Sequence, residues 1–142
     1  MQEAAETFSK SKNKGFGRLL VVIYAVFTLS AGARSAYQLV RKFDEAPLSI
    51  SLSALSALIY LLATIALAKK GEGAWKVSLL AVSIEMVGVL LVGAFSYLQP
   101  QYFELASVWS HFGAGYAYIP LLLPMVGLAW LYKTRPGAGQ KA

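Results

Sequence analysis

The sequence predicts an all-α, polytopic membrane protein in which four transmembrane helices form a bundle with short loops. Hydrophobic residues make up 57% of the 142-residue chain. Charged residues make up only 14%, whereas a soluble domain carries roughly 25%. Four apolar stretches reach the length of about 20 residues that a helix needs to cross a bilayer, and they cover residues 19–40, 48–68, 77–98 and 113–132. Such runs are too long for buried strands, and four strands cannot close a barrel in lipid.

The remaining segments are read as tails and loops. Residues 1–17 are polar without a clear apolar period and predict a disordered cytoplasmic tail ahead of a four-helix domain, residues 18–132. Residues 133–142 predict a basic cytoplasmic tail. A rival interpretation takes residues 1–33 as a cleaved signal peptide ending in the small residues 31–33. The apolar run continues beyond Arg34, which favours an uncleaved span.

The basic residues predict the orientation, because Lys and Arg concentrate in cytoplasmic loops. Ten of them fall on one side of the four spans, and these are Lys10, Lys12, Lys14, Arg18, Lys69, Lys70, Lys76, Lys133, Arg135 and Lys141. Only Arg41 and Lys42 fall on the other side. We therefore expect a multi-pass protein of the cell membrane with both termini in the cytoplasm. The net charge is +6, and the basic residues behind it flank the apolar runs. The expected partner is therefore the bilayer and not nucleic acid.

Glu85 and Arg34 are the charges that this topology places inside the membrane. Glu85 lies eight residues into the third span, about 12 Å from its inner edge. A charge at that depth costs roughly 3 kcal/mol or more, so the carboxyl must protonate, meet a cation or face an aqueous cavity. It is interpreted either as a helix-packing group or as a proton- or cation-coupling site. Arg34 is expected either to lean down toward Glu85 or to snorkel up to Asp44 or Glu45.

Small and polar residues recur at three- and four-residue steps on the second and third spans and predict a helix-packing face. Its members are Ser53, Ser56 and Tyr60 on the second span and Ser78, Ala81, Gly88 and Ser96 on the third. Small residues let helices approach closely where lipid supplies no hydrophobic drive. A substrate path lined by the same residues is the alternative interpretation. On the first span, Gly32 and Ala36 have a small-xxx-small spacing.

The fourth span and the loop before it carry the remaining features. Pro120 and Pro124 stand four residues apart and predict a kinked helix, read as either a static bend or a gate. Residues 105–109 are expected to form a short helix lying on the membrane surface. Three outer-face candidates belong to this region, namely Glu104, Trp109 and His111.

The residue inventory supports neither a catalytic set nor a cofactor site. The chain has no cysteine and one histidine, so disulfides and thiolate sites are excluded and His111 has no second His or Cys to complete a metal or haem site. No Ser-His-Asp set or phosphate-binding glycine loop is visible. We expect no cofactor and no bound metal.

Three segments resemble a group of small actinobacterial membrane proteins of unassigned function. They are YAVFTLSAGARS (24–35), FDEAPL (43–48) and VWSHFGAGY (108–116), and the similarity covers about residues 16–132. The resemblance implies four spans and brings no catalytic residues. The size also resembles that of small multidrug-resistance exporters, but those carry a Glu in the first span, where this chain has Arg34.

These features favour a non-enzymatic membrane subunit, an accessory or assembly partner of a larger cell-envelope complex. The first alternative is a proton-coupled transporter that works as a homo-oligomer, with Glu85 as the coupling carboxyl. The second alternative is a lipid-acting enzyme at the outer face that uses Glu104 and His111.

The predicted orientation can be tested by cysteine labelling, because the chain has no native cysteine. An impermeant thiol reagent applied to intact cells should label single cysteines placed near Asp44 and Glu104. It should not label cysteines near Gly71 or Gly137. Labelling at Gly71 would overturn the orientation that the charge count predicts.

Overall fold

All regular structure in the described part of the chain is helical. A computed structural model describes the backbone of residues 2–136 and the side chains of residues 14–136. That part contains no strand, three short 3₁₀-helices and the α-helices α1 (Gln2–Arg41), α2 (Pro47–Ala68), α3 (Glu72–Leu98) and α4 (Ile119–Lys133). The helices α1, α2 and α3 are each long and apolar enough to cross a membrane. The all-α prediction is confirmed, and the helices are compatible with a membrane protein.

Local sequence explains where α2 and α3 begin. Pro47 occupies the first turn of α2, where its missing N–H costs no helical hydrogen bond. Gly71 separates α2 from α3 with φ of +108°, a backbone conformation that a side chain would disfavour. A short turn therefore reverses the chain, and α2 matches the span predicted at 48–68.

The N-terminal end of the chain differs from the expected tail, and the C-terminal tail is described only in part. The helix α1 begins at Gln2, so the backbone of residues 2–17 is helical where the sequence predicts disorder. Extending an existing helix is much cheaper than nucleating one, and the Ala, Glu and Lys residues of this segment are good helix formers. At the other end α4 includes Lys133. Residues 134–136 of the predicted basic tail follow the helix without continuing it, and residues 137–142 lie outside the described residues.

The fourth span is not the single helix predicted for residues 113–132. Its α-helical part has only 15 residues, about 22 Å of rise, which is too short for a hydrocarbon core of roughly 30 Å. A 3₁₀-helix, Ser110–Tyr116, precedes it and is inclined to it by 99°. Pro120 lies in the first turn of α4, where its missing N–H costs no helical hydrogen bond. Only Pro124 therefore interrupts the helix interior. The predicted pair of internal kinks is therefore wrong at Pro120.

Residues 99–118, the insertion segment, connect α3 to α4. The segment contains two 3₁₀-helices separated by bends, and residues 105–109 form no helix. The expected surface helix at 105–109 is thus wrong. Val108 and Trp109 are instead 1% and 2% exposed, because the segment folds inward between α2 and α3.

The helices pack in chain order, α1 on α2, α2 on α3 and α3 on α4. Residues 14–22 of α1, the turn between α2 and α3 and the end of α4 line one cleft, so they lie at the same end of the helix bundle. We call this the terminal end. That it faces the cytoplasm stays a prediction from the charge count.

The backbone conformation of Ala117 yields a stability prediction. Ala117 is exposed and has φ of +58°, a region that costs an L-residue roughly 1–2 kcal/mol. Ala117→Gly should therefore stabilise the fold by about 0.5–1 kcal/mol after the entropy of glycine is subtracted. Exposed Ala114, which lacks a positive φ, is the matched control, and Ala114→Gly should destabilise. Thermal unfolding in detergent measures both, and equal effects would contradict the left-handed backbone at Ala117.

Candidate functional site

The indole of Trp109 lies at the centre of the helical core. Trp109 is 2% exposed, and its Nε1 donates a hydrogen bond of 2.9 Å to the hydroxyl of Tyr60 on α2. The two rings meet edge to face with centroids 6.4 Å apart. The sequence makes Trp109 an outer-face candidate, and the structure buries its side chain between α2 and α3. An indole can be buried in an apolar core when its N–H has a partner, and Tyr60 provides one.

Two glycines of α3 make room for the insertion segment. A Cβ added to Gly88 would lie 2.6 Å from Cζ3 of Trp109, and one added to Gly93 would overlap the ring of Phe112. Neither position can hold a larger residue without displacing an aromatic ring. The small face predicted on α3 therefore receives aromatic side chains of the same chain.

Serine hydroxyls bind the irregular backbone of the insertion segment. Ser53 accepts a hydrogen bond of 3.1 Å from the N–H of Val108, and Ser96 accepts one of 2.8 Å from the N–H of His111. Ser49 donates to the carbonyl of Leu105. Where water is absent, unpaired backbone groups cost several kcal/mol each, so these hydroxyls replace the hydrogen bonds that a continuous helix would make.

Three consecutive residues of the insertion segment have left-handed backbones. The φ angles are +54° at His111, +59° at Phe112 and +86° at Gly113. Only glycine adopts this region without steric cost, so the segment stores strain at His111 and Phe112. The contact of Phe112 with Gly93 and the hydrogen bond from His111 to Ser96 hold the conformation in place.

Glu85 is fully buried and pairs with a tyrosine. The hydroxyl of Tyr24 on α1 donates a hydrogen bond of 2.6 Å to Oε1 of Glu85. The second carboxyl oxygen, Oε2, is buried and has no hydrogen-bond partner. The ring of Tyr24 contacts the edge of Tyr60 with centroids 6.2 Å apart. An aromatic column from Tyr24 through Tyr60 to Trp109 therefore connects Glu85 to the insertion segment.

Gly127 lets α4 approach this column. A Cβ at Gly127 would lie 3.5 Å from the hydroxyl of Tyr24 and 3.3 Å from Val82. The network thus draws on all four α-helices. In a bilayer the hydrogen bond between Tyr24 and Glu85 reduces the cost of burying the carboxyl.

Arg34 adopts neither of the expected pairings. Its guanidinium donates to the carbonyl of Ala106 at 3.3 Å and to the hydroxyl of Tyr116 at 3.5 Å, and it lies 5.8 Å from the centroid of the Tyr116 ring. No hydrogen bond or ion pair joins it to Glu85, Asp44 or Glu45 in the described chain. The inward fold of the insertion segment, which brings Ala106 and Tyr116 beside α1, explains the difference.

The two other outer-face candidates are not brought together. Glu104 is exposed, while the His111 ring packs edge-on against Tyr97 with centroids 4.7 Å apart. Nothing in the described residues joins Glu104 to His111 by a hydrogen bond or ion pair. The pair therefore has no shared site in this arrangement.

The predicted packing face is buried, but it packs differently from the expectation. Exposure is 1% or less for Ser53, Ser56, Tyr60, Ser78, Ala81 and Ser96. Part of this face receives the insertion segment and not a helix.

Sequence reasoning missed Tyr24, although Tyr24, Ala31 and Ser35 recur at helical spacing on the buried side of α1. This helical spacing is the sequence signal that could have identified Tyr24 as a buried residue.

The contact between the Trp109 indole and Gly88 of α3 is tested by replacing Gly88 with alanine and comparing a control glycine. Gly88→Ala should destabilise by about 1–3 kcal/mol, because the indole must move. Gly32→Ala is the matched control, since nothing lies within 4 Å of its added Cβ, and it should stabilise by roughly 0.5–1 kcal/mol. Thermal unfolding of purified protein measures both. Equal stability of the two variants would show that the indole does not occupy the surface of Gly88.

The chemical groups at this site are hydroxyls, an indole and one carboxyl. Within the described residues no three His, Cys, Asp or Glu side chains are grouped so as to hold a metal ion. The arrangement can donate and accept hydrogen bonds and can hold a proton on Glu85. Comparisons with family models, curated proteins and solved structures find no match to the chain.

Proposed function

We propose that this chain is a small, non-enzymatic membrane subunit that assembles with another membrane protein through α1. The observation that supports the proposal most directly is the open surface at Gly32. The other glycines inside the apolar part of the helices, Gly88, Gly93 and Gly127, are each packed against a side chain of the same molecule. Gly32 has nothing within 4 Å of its added Cβ.

The surroundings of Gly32 suit a partner helix. Ala36 is exposed one turn away on the same side of α1, which gives the spacing at which transmembrane helices approach closely. Leu29 and Val40, at the two ends of this face, are 74% and 80% exposed. We call residues 29, 32, 36 and 40 the α1 face. A helix docked there would gain dispersion contacts that lipid chains fill less well.

The interior polar groups support a structural role. Tyr24 binds Glu85, Trp109 binds Tyr60, and serines bind the insertion segment. Glu85 has no exposed surface, and it does not line the cleft at the terminal end. A coupling carboxyl needs access to water in at least one state, so this arrangement favours packing over coupling.

One observation favours the alternative of a proton-coupled transporter that acts as a homo-oligomer. The Oε2 atom of Glu85 is buried without a partner, as expected of a carboxyl that binds and releases a proton during a cycle. The leading proposal and this alternative differ in what they require of Glu85, so they can be separated by mutation.

The assembly proposal is tested by enlarging the α1 face. The double variant Gly32→Leu with Ala36→Leu should weaken co-purification of a partner from native membranes by at least tenfold, because the added side chains prevent close approach. Ala94→Leu, an equally apolar change at an exposed position of α3, is the matched control and should retain the partner. Complexes are extracted in mild detergent and quantified by mass spectrometry.

Glu85→Gln separates the alternative from the proposal. The amide keeps a hydrogen-bond acceptor for Tyr24, so the complex should form normally. Loss of a proton-driven flux in reconstituted vesicles for Glu85→Gln, with normal assembly of the double α1 variant, would instead establish the transporter.

A further inference from the structure

A cleft of about 800 Å³ opens at the terminal end between α1, α2, α3 and α4. Its walls are largely apolar and include Val21, Leu67 and Leu131. Two tryptophans, Trp75 and Trp130, also line it, and Nε1 of Trp75 is held by the carbonyl of Leu131 at 3.0 Å. The volume falls in the range of about 300–1,000 Å³ that is usual for small-molecule sites.

The rim of the cleft is strongly basic. Lys14 and Arg18 border it from α1, and Lys69 and Lys70 border it from the turn after α2. Glu72 is the one acidic residue among the described lining side chains. Its carboxylate lies 3.5 Å from Nζ of Lys76, so its charge is largely balanced outside the cleft. The rim therefore carries an excess of positive charge above an apolar wall.

The cleft also continues onto the surface of the helices. Val22 lines it and is 58% exposed, so the wall of the cleft reaches the exposed side of α1. A molecule already dissolved in a bilayer could enter sideways along α1. A free anion would neutralise the rim but would leave the apolar wall uncovered.

We propose that the cleft binds one anionic phospholipid, with its phosphate at the basic rim and an acyl chain along the wall between α1 and α4. Basic groups near a membrane surface attract anionic head groups, and basic pockets between helices recognise them specifically. Burying an acyl chain adds a favourable hydrophobic contribution for each methylene group removed from water. The cleft and the α1 face are separate surfaces, so the proposal stands independently of assembly.

The intrinsic tryptophans provide the assay. The chain has three, and two of them line the cleft. Trp109 contacts Gly88, which lies about 20 Å along α3 from Trp75. Trp109 is therefore far from the cleft and serves as a little-quenched reference. The full chain is reconstituted into phosphatidylcholine vesicles, and a rising mole fraction of brominated lipid is added. Brominated phosphatidylglycerol should reach half-maximal quenching at a mole fraction at least tenfold lower than brominated phosphatidylcholine.

Charge variants then locate the head group. Lys69→Gln with Lys70→Gln should weaken the preference for phosphatidylglycerol by about fivefold per lysine. Both side chains are exposed, so the fold should be retained. Arg41→Gln with Lys42→Gln removes the same charge at the opposite end and is the matched control, which should leave the preference unchanged. Ala68→Phe, at an exposed position of the wall, should weaken binding while leaving the charge intact.

The other outcomes overturn the proposal. Equal quenching by the two lipids would show that the cleft has no preference for an anionic head group. An equal effect of the control pair would assign the preference to the overall charge of the protein. Complete competition by millimolar glycerol 3-phosphate, with no effect of Ala68→Phe, would assign the rim to soluble phosphates and not to a phospholipid.

Discussion

The inward fold of residues 99–118 depends on one constraint, which is that backbone polar groups away from water must find partners within the protein. Continuous helices meet this requirement by themselves, but the insertion segment is bent and partly left-handed. Hydroxyls of Ser53 and Ser96 supply the missing acceptors, and Tyr60 supplies one for the indole of Trp109. The positions of α2 and α3 follow, because both must stay close enough to bind the segment between them.

The same packing explains the placement of the buried Glu85 and the half-buried Arg34. Trp109 contacts Tyr60, Tyr60 contacts Tyr24, and Tyr24 binds Glu85. Arg34 lies beside the insertion segment, where Ala106 and Tyr116 accept its hydrogen bonds. Each charge has thus found a partner on a different helix or segment, and the two need not meet. A carboxyl bound by a tyrosine requires no counter-charge if it holds a proton.

The stripes of small and polar residues show which side of each helix faces inward, but not what packs against that side. Spacing identifies Ser53, Gly88 and Ser96 as members of inward faces, and the structure buries or half-buries all of them. Spacing cannot tell whether a neighbouring helix or an aromatic side chain fills the space, since both need small residues. The distinction between Gly88, which is occupied, and Gly32, which is open, depends on the three-dimensional position of Trp109.

The sequence by itself determined the helical class and the apolar character of α1, α2 and α3, because these follow from composition and from run length, which are local properties. It also identified Glu85 and Arg34 as charges within apolar spans, of which Glu85 is fully buried and Arg34 half-buried. Only the tertiary structure decided their partners, the break near Pro120 and the inward position of Trp109. These depend on contacts between residues such as Tyr24 and Glu85 that lie 61 positions apart. Apolar periodicity reports that a side chain is buried, but it carries no information about the atom that it meets.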